Sequence, residues 1–488
     1  MTQTSAIATT RLASDKRGNP RIWIEGRKLR SAGFLPQSRY RMTIDADARR
    51  ITLALDDNGD RTVSRRKRRG NEDPIIDIAN AGALKSFEGI ETLRIDFTAG
   101  TLTIEPSAIE DRCQRREMRT KQRLAEDAPL RSGSVSTGLG VLSHAIHEGL
   151  AQAGRTSELA FSVEIDQEYQ DLCADRNPAW GADTMAINMP LQEFAFDPAA
   201  IAKIEEVDIL EAGIPCTAHS IAGRSKKHLA IPEHDPVAGH LVVGFLAIVA
   251  AANPSIVIVE NVPQYADSAS FAILCNQLRE WQYDVEHIIL KGEEFDCLEH
   301  RHRMALLATS RGMRASIPAA LQTTEGTGVT IADILENVPD DSSLWSEMRY
   351  LKDKEKRDRM EGKGFRMQIL EPEDSKVGTI GRGYAKVRST EPKLRHPKNP
   401  ELLRQFTPRE HARIKGVPEE MVEGLAVTTA HEMLGQSIVA APFRALGMAI
   451  GKELGQWGNA KPRPQTQSQP ASIVKTEAKE GPMQLGLL

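Results

Sequence analysis

The sequence lacks paired cysteines. Its 488 residues contain five, Cys113, Cys173, Cys216, Cys275 and Cys297, and no two stand as CxxC. That argues against a zinc ribbon, a metal centre of that kind or a disulfide framework. An odd set of scattered thiols suits a reducing cytosol. A long hydrophobic run is missing too. The longest near-apolar stretch, Leu241 to Ala252, is 12 residues with a glycine inside it. It is too short to span a bilayer and predicts a buried helix. The opening MTQTSAIATTRLASDKRG has no apolar core of the signal-peptide kind. The expectation is a cytoplasmic protein with no membrane partner. Nor is there an excess of one charge: Lys plus Arg, 63, against Asp plus Glu, 67, gives −4. Any contact with nucleic acid must therefore be local rather than a matter of bulk charge. What remains is ordinary globular composition, 40% hydrophobic and 27% charged. At roughly 150 residues per domain the length predicts two or three domains with a sizeable core.

Residues 1–125 read as a β-rich module. RMTIDADARRITLAL and TLRIDFTAGTLTIE each alternate around a turn, as hairpins do. Between them Arg65-Arg66-Lys67-Arg68-Arg69 reads as a loop, either solvated or phosphate-contacting, before a short strand in IIDIA. Asp111 to Glu126 reads as a helical connector. Over 126–311 the rhythm changes. SELAFSVEI, EEVDILEAG, SIVIVENV and RMALLATS are apolar strands separated by helical stretches. Near-continuous apolar strands of this kind indicate an α/β domain with a mostly parallel sheet covered on both faces. Residues 312–400 lose the rhythm and read as an inserted lobe. Helical character returns over 401–458, and 459–488 reads as a disordered tail.

Chemistry concentrates at three strand ends. VDILEAGIPC ends a strand at Gly213-Ile214-Pro215-Cys216, and ligands in open α/β sheets bind beyond the carboxyl ends of strands. A lone cysteine is commonly an inert core residue. Its company changes the reading here. Forty-four residues on, four apolar residues, Ile256 to Val259, deliver Glu260, and a charge in that position needs a partner. Glu299-His300-Arg301-His302-Arg303 precedes another apolar strand, and Arg301 and Arg303 share a side of an extended chain. Upstream, Ser136-Thr137-Gly138-Leu139-Gly140 sits between a strand and a helix, with glycines that let backbone approach a ligand. Glu164 ends the next strand, placed to accept both protons of a ribose diol.

Together these segments resemble the DNA (cytosine-5) methyltransferase family. Gly-Ile-Pro-Cys with Ser220-Ile221-Ala222-Gly223 resembles its nucleophile loop, and Glu260-Asn261-Val262 its ENV tripeptide. Arg301-His302-Arg303 matches the tail of QxRxR. Phe406-Thr407-Pro408-Arg409-Glu410, with Arg413 and Gly416-Val417-Pro418, is similar to its LTPRE…R..G.P segment. Leu434-Gly435-Gln436-Ser437-Ile438 is similar to its GNSV segment. The resemblance implies a Rossmann-like methyltransferase domain using S-adenosylmethionine on double-stranded DNA, with the 312–400 lobe recognising the target. It implies Cys216 as nucleophile adding to cytosine C6, Glu260 as a buried, partly neutral acid on N3, Arg303 on O2, and Arg301 supporting the loop or a phosphate. It assigns the cofactor to Ser136, Thr137, Gly138, Gly140, Glu164, Ile165, Pro215, Gln436 and Ser437. Either Asp183 or Asn188 meets the adenine amino group. A flexible stretch from Ser220 to Pro236, with Arg224, Lys226 and Lys227, would close over a flipped base.

The departures are specific. Ser136 replaces a Phe, Val141 a Gly, Thr217 a Gln, His219 a Phe and Gln436 an Asn, while Leu298-Glu299 replaces Pro-Gln before the arginines. They indicate a divergent branch of the phage or bacterial type. Those at 136, 217 and 219 also keep open a catalytically silent nucleic-acid-binding regulator, and the same chemistry acting on RNA, an RNA cytosine-5 methyltransferase, is a further alternative. At the end, Gln484-Leu485-Gly486-Leu487-Leu488 resembles short peptides that bind the bacterial sliding clamp.

Overall fold

The computed structural model describes residues 5–14, 19–68, 71–215, 229–324, 326 and 328–459. The N-terminal strands are β1 (Ala6–Arg11), β2 (Ala13–Ser14), β3 (Pro20–Glu25), β4 (Arg39–Asp45), β5 (Arg50–Leu55), β6 (Arg61–Thr62), β7 (Ser64–Arg68), β8 (Asn71–Ile78), β9 (Thr92–Thr98) and β10 (Thr101–Pro106). They form two antiparallel sheets, β1-β9-β10-β5-β4-β6 and β2-β3-β8-β7. Both expected hairpins form, β4 with β5 and β9 with β10. Alternation decides which side is inward. Leu93, Ile95 and Phe97 of β9 and Leu102 and Ile104 of β10 join Ile22, Ile24, Ile76 and Ile78 of the second sheet in one apolar core.

The described part of the basic run, Arg65 to Arg68, is a strand, not a loop. β7 pairs antiparallel with β8, setting Arg66 opposite Asp73 and Lys67 opposite Glu72. Arg65 reaches Glu72 at 3.2 Å and Arg66 reaches Glu25 at 3.3 Å. Cross-strand acids offset the repulsion that led to a loop being expected.

The connector helix, Ala108–Ala125, belongs by its packing to the next unit. Ser107 caps it, and Glu110 and Asp111 lie in its first turn. Arg116 is buried and donates to the carbonyls of Trp281 and Gln282, both at 2.9 Å, and to Ser310 Oγ at 2.9 Å. Thr120 Oγ1 donates to Asp208 Oδ1 at 2.6 Å. These partners mark the amino edge of the central sheet, so the helix bolts the module to the side opposite the strand ends that carry the chemistry.

That sheet contains β11 (Leu130–Val135), β12 (Ser157–Val163), β13 (Met185–Ile187), β14 (Ile209–Gly213), β15 (Ile256–Asn261), β16 (Tyr283–Lys291) and β17 (His302–Ser310). Their order is β13-β12-β11-β14-β15-β17-β16, parallel from β13 to β15, with β17 antiparallel to both neighbours. The mostly parallel sheet is as expected, and the strand order reverses between β11 and β14. Apolar cores cover both faces. One face takes the helices Val141–Gln152 and Ala440–Asn459, which cross closely: a Cβ on Gly149 would lie 2.1 Å from the Arg444 carbonyl oxygen. The far C-terminal helix thereby completes the covering of this face. The other face takes Leu241–Ala252, the buried helix expected, and Ala269–Glu280. Among the described residues, no single helix is long and apolar enough to cross a membrane.

The inserted lobe holds the helix Arg349–Met360 and three short strands, β18 (Ile369–Leu370), β19 (Lys393–Arg395) and β20 (Leu403–Arg404). Its small core mixes Ile331, Val377, Ile380 and Tyr384 with Leu298, Phe406 and Ile414 from the flanking chain. The lobe is thus sewn to the sheet on both sides.

Candidate active site

The carboxyl ends of β11, β12, β14 and β15 form one edge. The loop after β11 turns back through two left-handed residues, Ser136 at φ 55° and Gly138 at φ 56°. Glu164, directly after β12, is buried, and both its oxygens are engaged. Oε2 accepts from Gly138 N at 2.7 Å and Oε1 from Asp166 N at 3.0 Å. Two fixed backbone donors hold the carboxylate at the edge while each oxygen keeps a further lone pair. Thr137 Oγ1 and Ser162 Oγ share a hydrogen bond of 2.8 Å. Ile165 is 67% exposed, a large apolar side chain left bare beside Glu164.

The two glycines of this loop do different things. A Cβ on Gly138 would meet nothing within 4 Å, so the space over it is open. At Gly140, φ 75°, a Cβ would lie 2.2 Å from Asn177 Nδ2 and 2.7 Å from Cys173 Sγ. Asn177 packs against Gly140 and donates to its carbonyl at 2.8 Å, which is by itself a reason for glycine there.

Asp183 and Asn188 lie at opposite ends of β13. β13 runs parallel to β12, so Asp183, before it, lies at the amino edge, and Asn188, after it, lies at the carboxyl edge. Asn188 Nδ2 donates to the Glu164 carbonyl at 2.9 Å.

At the centre, Arg303 Nε lies 2.7 Å from Glu260 Oε1, with both side chains about 15% exposed (14% and 15%). β17 runs antiparallel to β15 with Glu260 opposite Ala305, which sets Arg303 on the same face. Glu260 also lies opposite Gly213 in the β14–β15 register. A Cβ on Gly213 would sit 3.8 Å from Glu260 Oε2 and 3.5 Å from the Ser136 carbonyl oxygen. The β11 loop, the end of β14 and the Glu260–Arg303 pair therefore converge. The carboxylate of Glu260 thus has the Arg303 guanidinium as its ion-pair partner.

Arg301 is buried apart from that pair. Its guanidinium reaches Glu299 Oε1 at 3.4 Å and the Gly435 carbonyl at 3.3 Å. It braces the chain rather than facing a solvent-borne phosphate. Pro215 is exposed at the mouth of the site, and Cys216 follows it directly. Cys216 lies outside the described residues, as do Arg224, Lys226 and Lys227. Burial raises the thiols of Cys113 to about 11 and of Cys173 and Cys297 to about 12, so none of those three offers a thiolate near neutrality.

A profile of C-5 cytosine-specific DNA methylases matches residues 137–452. The chain belongs to that family. Its activity is C5 methylation of cytosine in DNA. The methylase is 28% identical over 315 residues to the type II methyltransferase M.NlaX of Neisseria lactamica, covering 62% of this chain and 91% of that protein. It is 28% identical over 283 residues to M1.ScrFI of Lactococcus lactis subsp. cremoris, covering 54% and 69%. In fold it is similar to a methyltransferase of Entamoeba histolytica, with TM-score 0.52, 17% identity, and 65% and 96% of the two chains covered.

The methylase brings its late motifs back to the same edge. Gln436 Nε2 donates to the Tyr169 hydroxyl at 3.0 Å, beside the helix Gln167–Arg176 that follows Glu164. Ser437 Oγ closes the helix Val427–Gln436 by donating to the Leu434 carbonyl at 2.8 Å. The TPRE segment is structural. Thr407 and Glu410 form a capping box on the helix Pro408–Lys415, and Glu410 takes both Arg404 amino groups at 2.6 and 2.7 Å, all enclosed.

Several residues at the site have no role assigned from the sequence. Asn261, buried after Glu260, donates to the Ile214 carbonyl at 3.1 Å and accepts from Val262 N at 2.9 Å. It pins the Gly-Ile-Pro turn to β15. Tyr169 and Lys415 carry no local signal, and Glu299 shows only as a departure from the Gln that the resemblance expects. Glu211, two residues before Gly213, was read simply as part of a strand. The expected closing stretch is only partly described, and that part is anchored: Glu233 Oε1 accepts from Ser270 N at 2.8 Å and from its hydroxyl at 2.9 Å. The clamp-like Gln484–Leu488 and the tail lie outside the described residues.

Proposed function

We propose that the methylase uses S-adenosylmethionine and attacks a flipped-out cytosine of double-stranded DNA through Cys216. The observation that carries this reading is the Glu260–Arg303 pair at 2.7 Å beside the end of the strand that leads to Cys216. A stacked cytosine hides C5 and C6, so the base must leave the helix to meet these groups.

The cofactor edge fits the proposed group. Open space over Gly138, a fixed carboxylate at Glu164, the bare Ile165 and Asn188 at the adenine end suit a loop, a ribose diol, an adenine face and its amino group in turn. Ser136, Thr137, Gly140, Pro215, Gln436 and Ser437 complete that edge, with Gly140 also shaped by Asn177. When bound, S-adenosylmethionine supplies an electrophilic methyl on a sulfonium sulfur.

The Cys216 thiolate forms a bond to C6, and the C5–C6 π pair moves onto C5. Glu260 shares a proton with N3 and so neutralises charge as the adduct forms. Arg303 holds O2 while keeping Glu260 in place. C5 would then take the methyl, the sulfonium leaving as the neutral thioether S-adenosylhomocysteine; a base, to which no side chain is assigned, would accept the C5 proton, and elimination across C5–C6 would free the Cys216 thiolate. The lobe at 312–400 reads the target. The enzyme's setting is the DNA-containing cytosol.

Transfer of tritiated methyl to duplex DNA, and not to RNA, is the expected result, with labelling lost in Cys216→Ser. On DNA carrying 5-fluorocytosine, where C5 cannot release a proton, a covalent adduct should accumulate. Labelling of RNA alone would favour the RNA reading. A wild-type protein that binds DNA yet labels neither would favour the silent regulator.

A further inference from the structure

The segment that feeds Arg303 into β17 is itself anchored by an enclosed charge cluster. Glu299 and Lys415 are both fully buried, with Oε2 and Nζ 2.7 Å apart. Oε1 of Glu299 accepts from Ile380 N of the lobe at 3.1 Å and from Arg301 Nη1 at 3.4 Å. Arg301 passes the connection to the Gly435 carbonyl, one residue before Gln436. The backbone of the same stretch pairs with the lobe, His300 N to the Val377 carbonyl at 3.0 Å and Val377 N to the Leu298 carbonyl at 2.7 Å. One carboxylate thus ties the entrance of β17, the lobe, the helix Pro408–Lys415 and the Gln436 segment.

A buried ion pair adds little net stability over good apolar packing, yet removing one partner strands a charge. Its contribution here is geometric. We infer that the Glu299–Lys415 pair is a positioning element, which sets the lobe against the sheet and, through the four residues that follow Glu299, aims Arg303 at Glu260. Glu299 stands where the resemblance expects a neutral glutamine, so this methylase holds the joint with charge. The inference rests on the reading of Arg303 and Glu260 as the base-holding groups.

The test compares full-length wild type, Glu299→Gln, Lys415→Gln and the double variant on duplex DNA. Trapping on 5-fluorocytosine DNA counts competent sites, so that kcat can be given per competent site. A merely structural role would lower the number of sites and leave kcat per site unchanged. The expected result is a fall of at least tenfold in kcat per site for each single variant, with KM for S-adenosylmethionine within twofold. The double variant, which leaves no unpaired charge, should recover to within about threefold of wild type, because two amides can hydrogen-bond across the same gap. If a single variant does not fold, the other single and the double decide the matter. Wild-type kcat per site in a single variant, or a double no better than the worse single, would overturn the inference. A wild type that fails to label DNA or to trap would instead overturn the reading of the site.

Discussion

Glu211 offers a sharp test of whether the sheet is packed as described. It sits in mid-β14, fully enclosed, opposite Ser134 of β11 in register, with the Ser134 and Ser143 hydroxyls as its polar neighbours. Burial pushes its carboxyl up from the ordinary 4.5 to about 7, against a smaller lowering by the two hydroxyls. The unfolded chain releases this proton near 4.5, while the folded chain keeps it until about 7. Stability is therefore fully present below 4.5 and falls as pH rises through that window. At 1.36 kcal/mol per pKa unit, the difference between 4.5 and about 7 amounts to about 3 kcal/mol, complete above pH 7. Glu211→Gln keeps the shape and cannot ionise. Its stability relative to wild type should rise by most of that amount between pH 5 and pH 8. In calorimetry this corresponds to roughly 5–10 °C of extra Tm for the catalytic unit. An equal Tm difference at pH 5 and pH 8 would show that the carboxyl is solvated, and the packing around β14 would be wrong.

The glycines of the β11 loop should separate fold from ligand. Gly140→Ala, which meets Asn177 at 2.2 Å with φ 75°, is expected to cost about 2–4 kcal/mol in urea unfolding. Gly138→Ala meets nothing, should cost about 1 kcal/mol in the same melt, and should raise KM for S-adenosylmethionine tenfold or more. Equal unfolding costs would contradict the contrast. Asn261→Ala removes the donor to the Ile214 carbonyl and should cost about 1–3 kcal/mol, with a fall in kcat because the turn before Cys216 loses its pin. An unchanged kcat would remove Asn261 from that role. Arg303→Lys keeps a cation but loses the fork that serves Glu260 and, through Nη1 at 2.9 Å, the His302 carbonyl. Adduct formation on 5-fluorocytosine DNA should slow at least tenfold, and trapping at the wild-type rate would sink the assignment.

Much of this was readable in one dimension. Four apolar runs bounded by Gly, Pro or an acid mark the strands of a parallel sheet, since such strands are buried on both faces. The residue types at their ends, a cysteine, an acid and paired arginines, name the chemistry. The pairing of Glu260 with Arg303 was less accessible. The two lie 43 residues apart and meet because β17 turns antiparallel against β15 with Glu260 opposite Ala305. A slip of one residue would send Arg303 to the other face. The basic run misled for a related reason. Its repulsion is read locally, while the neutralising Glu72, Asp73 and Glu25 arrive from β8 and β3.

What the sequence by itself determined was local and chemical: where strands and helices lie, which residues can act as nucleophile, acid and cation, and which family they resemble. Only the tertiary structure decided that Asn177 packs against Gly140, that Arg301 braces Glu299, that the connector helix packs on the sheet, and that Glu299 and Lys415 share one enclosed site. Periodicity and residue type report on neighbours along the chain. Burial, register and charge pairing depend on which distant segments pack together, and that is settled by the whole core at once.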